Sequence, residues 1–427
     1  MRALQQNISI PLVCLLFFSL PVLLPALHSE AATFTVNSGF DVNDLEPGNG
    51  LCVAYLVIII PAVLPYCTLR GAIEEANKLP GEDVILLGSG TYRLSIEGRN
   101  EDQAGSGDLD ITDSVHIIGA GADKTFIDAN GLDRVFDIPE SGTTITLSGI
   151  SIINGNLPPE QPSHRGGGLR NQGNLTLDHV IISGNTLSGM SDKDTGGGMY
   201  NGGQCSLTHS IVHNNHAGLG AGIYNDQSGN LQVSATTLDH NASRGGGGLD
   251  NRGIAQLINT TITANSAAGT NALPGGGLRN SGGMRLVHCT IAGNTATAGG
   301  GGIYNESDLI MMNTLVADNP SNNCFMQAGL ISQGGNLDSG TTCGLFIRQD
   351  DIFNSDPMLA PLENNGGPTP TMALAQTSPA VDAGLVTTSV TTDQRGLSRP
   401  RRKSFDIGAF ELNNFSVAPC VSPLLLH

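Results

Sequence analysis

No tryptophan occurs among the 427 residues, aromatics reach only 4% and charged residues 14%. Against that scarcity stand 57 glycines, a composition that suits turns and stacked strands better than helices. Basic residues are few: 20 Lys and Arg oppose 38 Asp and Glu, for a net charge of −18. That balance argues against nucleic acid and anionic membrane surfaces as partners, and fits solubility or calcium. No Cys-x-x-Cys pair is present, so the usual thiolate zinc motif is missing. Beyond the apolar stretch from Ile8 to Leu27 there is no second membrane-length run; Leu56 to Leu64 is too short and contains Pro61. Nothing in the central region sustains a 3.6-residue period.

What the chain does contain is one motif written six times, a glycine run followed by a large aliphatic residue, a variable residue and Asn. The copies end at Asn171, Asn201, Asn225, Asn251, Asn280 and Asn305, and each is followed by a second asparagine: Asn185, Asn215, Asn241, Asn265, Asn294 and Asn319. The separation within a copy is 14 residues in five cases and 16 in one, while the first Asn advances by 30, 24, 26, 29 and 25. A fixed inner spacing with an elastic outer one describes stacked coils whose loops vary on one side. Apolar residues recur two apart within each copy, as in Leu175 and Leu177 or Leu231 and Val233, the period of strands with one buried face. The expected fold is therefore all-β, a single-stranded right-handed parallel β-helix with a short helical cap at its N-terminal end. Six rungs about 4.8 Å apart span roughly 24 Å. An amide can donate to and accept from its equivalents above and below, so both asparagine columns are expected to form structural ladders.

Arg2, the apolar stretch and the small residues Ser29 and Ala31 predict an export signal over residues 1–32, cleaved near Ala31 or Ala32. The remaining organisation is expected as a capping module at 33–82, a β-helix over 83–355 with regular repeats at 166–319, a C-terminal region at 356–411 and a tail at 412–427. Leu69, Ala72, Ile73 and Ala76 share one face of a predicted short helix that covers the first rung. Of eight cysteines, Cys14 leaves with the signal and Cys420 is left over. The spacings suit local disulfides Cys52–Cys67 and Cys324–Cys343, each worth about 3 kcal/mol on the loop-entropy model. Cys205 and Cys289 fall in core columns and read as small buried apolar residues.

Cys67-Thr-Leu-Arg-Gly-Ala72, preceded by Asp44 to Cys52, resembles the CSLREA motif of exported bacterial β-helix proteins, with Thr68 for Ser and Gly71 for Glu. The repeats are similar to those of polymorphic outer membrane proteins. Gly366 to Thr371, Ser378 to Gly384, Asp393 to Gly396 and Asp406 to Glu411 resemble the choice-of-anchor Q domain. The resemblance implies an exported, surface-associated β-helix with no catalytic activity established for the class.

Four features are weighed as carriers of function. The residue before each first Asn points away from the core, giving Arg170, Tyr200, Tyr224, Asp250, Arg279 and Tyr304. Beside a glycine strip, Arg170, Tyr200, Tyr224, Arg279 and Tyr304 are the candidate glycan-binding groove, through ring stacking and forked hydrogen bonds. Their alternative role is stacking across rungs. His179, His209 and His288 share a column; with no carboxylate in it, no metal is expected. Asp250 after Gly245 to Gly248 resembles a calcium-binding nonapeptide, but occurs once and has Arg252 where a large apolar residue is required. The long loops Leu157 to Arg165, Thr186 to Thr195 and Ser266 to Pro274 leave one corner and could form a recognition surface.

The rival reading is a polysaccharide lyase or hydrolase acting on an acidic polysaccharide, since many β-helices carry one. A lyase needs a base and a cation near a uronate, a hydrolase paired carboxylates. The acidic candidates Asp108, Asp110 and Asp113, Asp123 and Asp128, and Asp350 and Asp351 form no recognisable site. The expectation is a non-catalytic, monomeric adhesion or display protein, secreted or at the cell surface or outer membrane. It needs no cofactor and meets glycans or cell surfaces.

Overall fold

The computed structural model describes residues 31–413 apart from 60–61, 100, 140–141, 159–163, 190, 270, 346–347 and 387–388. The expected signal segment, except for its last two residues, and most of the tail, with Cys14 and Cys420, lie outside the described residues. Each of the five successive coils from Leu169 to Ala292 lays down a three-residue strand, a turn, a five-residue strand, a turn and another three-residue strand. Leu169–Asn171, Asn174–Asp178 and Ile181–Ser183 are one such set. Successive coils pair in parallel and in register, Asn171 on Asn201 and Leu175 on Cys205. The stacking produces three long sheets. The first runs through 11 strands from Thr33–Val36 to Leu330–Ser332, the second through 11 from Gly90–Arg93 to Ile352–Phe353, and the third through 9 from Leu109–Asp110 to Cys324–Met326. The molecule is a right-handed parallel β-helix, the hand that parallel crossovers adopt.

Inside the coil the aliphatic columns read from the sequence are buried in one continuous core, with Leu177, Leu207, Leu257, Leu286 and Met311 all fully enclosed. The turn between first and second sheets carries a left-handed residue in seven successive coils, at Gly149, His179, His209, Ala235, Asn259, His288 and Asn313, with φ between 48° and 62°. Glycine, Asn and His tolerate that conformation best, which explains the recurrence of these residue types.

The N-terminal end is closed by helix α1, Leu69–Ala76, whose first turn is capped by Thr68 accepting from the Gly71 N–H at 3.0 Å. Leu69, Ala72, Ile73 and Ala76 pack into the core. The polar face is covered as well: Arg70 binds Asp41 at 2.6 Å and three backbone carbonyls, and Glu74 accepts from Asn43 and Asp44. A Cβ on Gly71 would lie 3.1 Å from the Thr68 hydroxyl and 3.4 Å from the Asp44 nitrogen, so a glutamate there would crowd this wrapping segment. The apolar stretch after Cys52 forms an antiparallel hairpin of Tyr55–Ile59 and Ala62–Tyr66. Disulfides join Cys52 to Cys67 and Cys324 to Cys343. Cys205 and Cys289 are free and buried, their thiols pushed up to about 12 by burial.

At the other end the chain turns back along the solenoid. Residues from the antiparallel pair Leu359–Glu363 and Thr371–Leu374 onward lie across the outside of the second sheet, where Leu315, Ala317 and Leu337 pack with Leu374, Ala380, Ile407 and Phe410.

Candidate functional site

The most uniform letters of the repeat are fully occupied inside the protein. Each first Asn donates from its side chain to the next, from Asn171 to Asn201 at 2.7 Å and on through Asn225, Asn251, Asn280 and Asn305 at 2.7–2.8 Å. The second column does the same from Asn185 through Asn215, Asn241, Asn265 and Asn294 to Asn319 at 2.9–3.1 Å. In this column the backbone N–H also donates to the next side-chain oxygen, and the second amide proton reaches a carbonyl such as Ile152 O. These amides have no capacity left for a ligand.

The tyrosine and arginine column requires a correction. Arg170, Tyr200, Tyr224, Asp250, Arg279 and Tyr304 do stand in register on the third sheet and point out of the core. They do not form an open groove: Tyr200 is 1% exposed, and Tyr224 and Tyr304 are each 5% exposed. The strands here are only three residues long, so flanking turn residues fold over the single outward side chain. Arg165 lies 5.0 Å above the Tyr200 ring and Arg252 5.1 Å above Tyr224. The Tyr200 hydroxyl donates to Asp226 at 2.5 Å; Arg170 holds Asp137 at 2.6 Å, and Arg279 bridges Asp250 and Glu306. The rings of Tyr200 and Tyr224 stack 5.7 Å apart. The column works as a cross-rung stack.

The acidic residues near the N-terminal end converge around Arg134, which reaches Asp108 at 3.0 Å and Asp137 at 2.5 Å. Burial raises the Asp108 carboxyl well above its usual range and that of Asp110 to about 7. Both side chains are enclosed, so a polymer cannot reach them.

The open face is that of the first sheet. Outward from neighbouring strands come the rows Asn174, Gln204, Asn230 and Thr176, Ser206, Gln232, held in register one rung apart. With Thr144 they line a shallow cleft of about 180 Å³. In contrast to the inner amides, these four side-chain amides make no hydrogen bond to any described residue. They form a flat, uncharged strip of donors and acceptors, repeated every 4.8 Å or so. At its edge the strip ends in Asp178, which meets His179 and His209; the third histidine of that column, His288, lies buried under the C-terminal segment against Phe405.

The C-terminal motifs bind the solenoid itself. Gln394 inserts between the outward hydroxyls of the second sheet, accepting from Thr261 at 2.6 Å and donating toward Thr237 at 2.9 Å. Thr290 accepts from the Ala409 N–H, and Asn259 donates to Thr392 O. Two enclosed ion pairs, Arg395–Asp393 at 2.7 Å and Arg399–Glu411 at 2.7 Å, fix the segment, and Arg395 lies 3.7 Å over the Phe410 ring. Burial, with Arg399 nearby, holds His288 well below the usual histidine range, whereas burial raises Asp406 to about 6. The signs oppose. The contribution of His288 is complete above about pH 6.5 and is lost as pH falls below it. That of Asp406 is complete below about pH 4 and is lost as pH rises through about 6. His288→Asn is therefore expected to reduce the loss of stability between pH 6.5 and 5.5, measured by urea unfolding at each pH; an unchanged slope would refute this assignment.

The class defined by these features is an end-capped parallel β-helix with one open polar face and a C-terminal clasp. No protein-family model and no curated protein matches the chain. Among solved structures, the crystal structure of pectate lyase Pel9A aligns with a TM-score of 0.43 and 14% sequence identity, over 90% of this chain and 98% of that one.

Proposed function

We propose that the protein is a non-catalytic, secreted or cell-surface β-helix protein that binds a neutral, hydroxyl-rich glycan along the first sheet. The row of unpaired amides of Asn174, Gln204, Asn230 and Gln232 carries this reading. Each amide offers both donor and acceptor to sugar hydroxyls, and the fixed rung spacing presents them to a chain of repeating units. The fold itself decides nothing between binding and catalysis. Export, the 1–32 signal, the division into capping module, β-helix and C-terminal region, and a monomeric state belong to the same proposal. So does membership of the CSLREA and choice-of-anchor Q type; two disulfides are compatible with it.

A glycan array with the wild-type protein and the Gln204→Ala, Gln232→Ala double variant tests the site. Loss of two amides at about 1 kcal/mol each is expected to weaken binding roughly tenfold or more. Tyr200→Ala is expected to lower stability and leave glycan affinity in place. Unaltered binding by the double variant, or new reducing or unsaturated ends in the glycan, would reject the reading.

A further inference from the structure

We infer that Asp178, His179 and His209 form a binding site for a divalent transition-metal cation, with zinc the natural probe. The three residues come together because of the coil. Asp178 is the last residue of one first-sheet strand, His179 occupies the left-handed turn that follows, and His209 occupies the same turn one rung on. In register, Asp178 lies beside Thr208, and the two imidazoles stack with centroids 4.8 Å apart. One carboxylate oxygen lies 2.9 Å from His179 Nδ1 and the other 3.0 Å from His209 Nδ1. One potential ligand atom from each residue lies within 4.8 Å of the others.

Zinc–nitrogen and zinc–oxygen bonds of about 2.0–2.2 Å place tetrahedral donors roughly 3.3 Å apart. The present gaps are a little shorter on the carboxylate side, and the side chains have room to open. Those of His179, His209 and Asp178 are 55%, 43% and 41% exposed. Thr208 donates to the carboxylate at 2.8 Å, an outer hydrogen bond that orients it without blocking either imidazole. An aspartate carboxyl is ionised at neutral pH, so Asp178 supplies an anionic ligand beside the two imidazoles. Two imidazole nitrogens with one carboxylate favour zinc-like ions over calcium or magnesium. Three protein donors leave a fourth position for water or an external ligand. This site does not depend on the glycan reading, because its readout is the metal alone.

The test is a titration of the full chain with zinc against a chromophoric chelator. One equivalent should bind tightly enough to be drawn from the chelator. His179→Asn and His209→Asn remove the ligands while keeping residues that accept the left-handed turn, as Asn259 and Asn313 already do in the same column. Each should weaken zinc binding by at least about tenfold. His240→Asn, which removes an exposed histidine paired only with Asp239, should leave affinity unchanged. No zinc uptake by the wild type, or undiminished uptake by both ligand variants, would overturn the assignment.

Discussion

Asn241→Ala is expected to cost about 3–5 kcal/mol of unfolding free energy, a large effect for one small side chain. The Asn241 oxygen accepts from both the backbone and the side-chain nitrogens of Asn215, at 3.1 and 3.0 Å. Its own side-chain nitrogen serves Val212 O and Asn265, both at 2.9 Å. Alanine would strand two buried donors on one rung and remove a donor from two buried acceptors. Water cannot enter to replace it, because Asn215, Asn241 and Asn265 are all enclosed. Asn174→Ala, on the open face, removes an amide of the same chemistry and should change stability by no more than about 0.5 kcal/mol. Urea unfolding followed by circular dichroism measures both; equal effects would mean that the ladder is incidental.

Arg399→Met is expected to release the C-terminal segment at a cost of about 3–5 kcal/mol. Arg399 is enclosed and donates to Glu411 and Gly408 O at 2.7 Å and to Asp406 O at 3.1 Å. Methionine fills part of the volume but leaves the Glu411 carboxylate buried without its cation. The solenoid has its own core and should persist, so the loss should appear as a separate early transition. Hydrogen exchange should then accelerate in the second-sheet strands Thr237–Asp239, Thr261–Thr263 and Thr290–Ala292, which the segment covers. A single transition with unaltered exchange in those strands would contradict the clasp.

The coil was legible in the sequence because its rules are periodic: two asparagines at fixed separation, apolar residues two apart, glycines before each short strand. Nothing periodic announced what covers the third sheet. Arg165, Asp226 and Arg252 lie outside the repeated motif, so the tyrosine column could be oriented from the sequence but its burial could not. The metal cluster was hidden for a related reason. Its carboxylate belongs to Asp178, one residue before the histidine column, and only the rung geometry brings it against His209. Docking of the C-terminal motifs depends on contacts such as Thr237 with Pro370 and Asn259 with Thr392, each 133 residues apart, beyond any local pattern. The uncharged strip on the first sheet was present in the letters as Asn174, Gln204 and Asn230, but its distinction is that these amides lack partners, a property that only the packed structure reveals.

Hydrogen exchange with and without a saturating glycan identified on the array tests the central claim most directly. The account predicts slower exchange confined to Asn174–Asp178, Gln204–Thr208 and Asn230–Ser234, with the glycan recovered uncut. Protection centred instead on Met199–Asn201 and Ile223–Asn225, or a cleaved glycan, would contradict it.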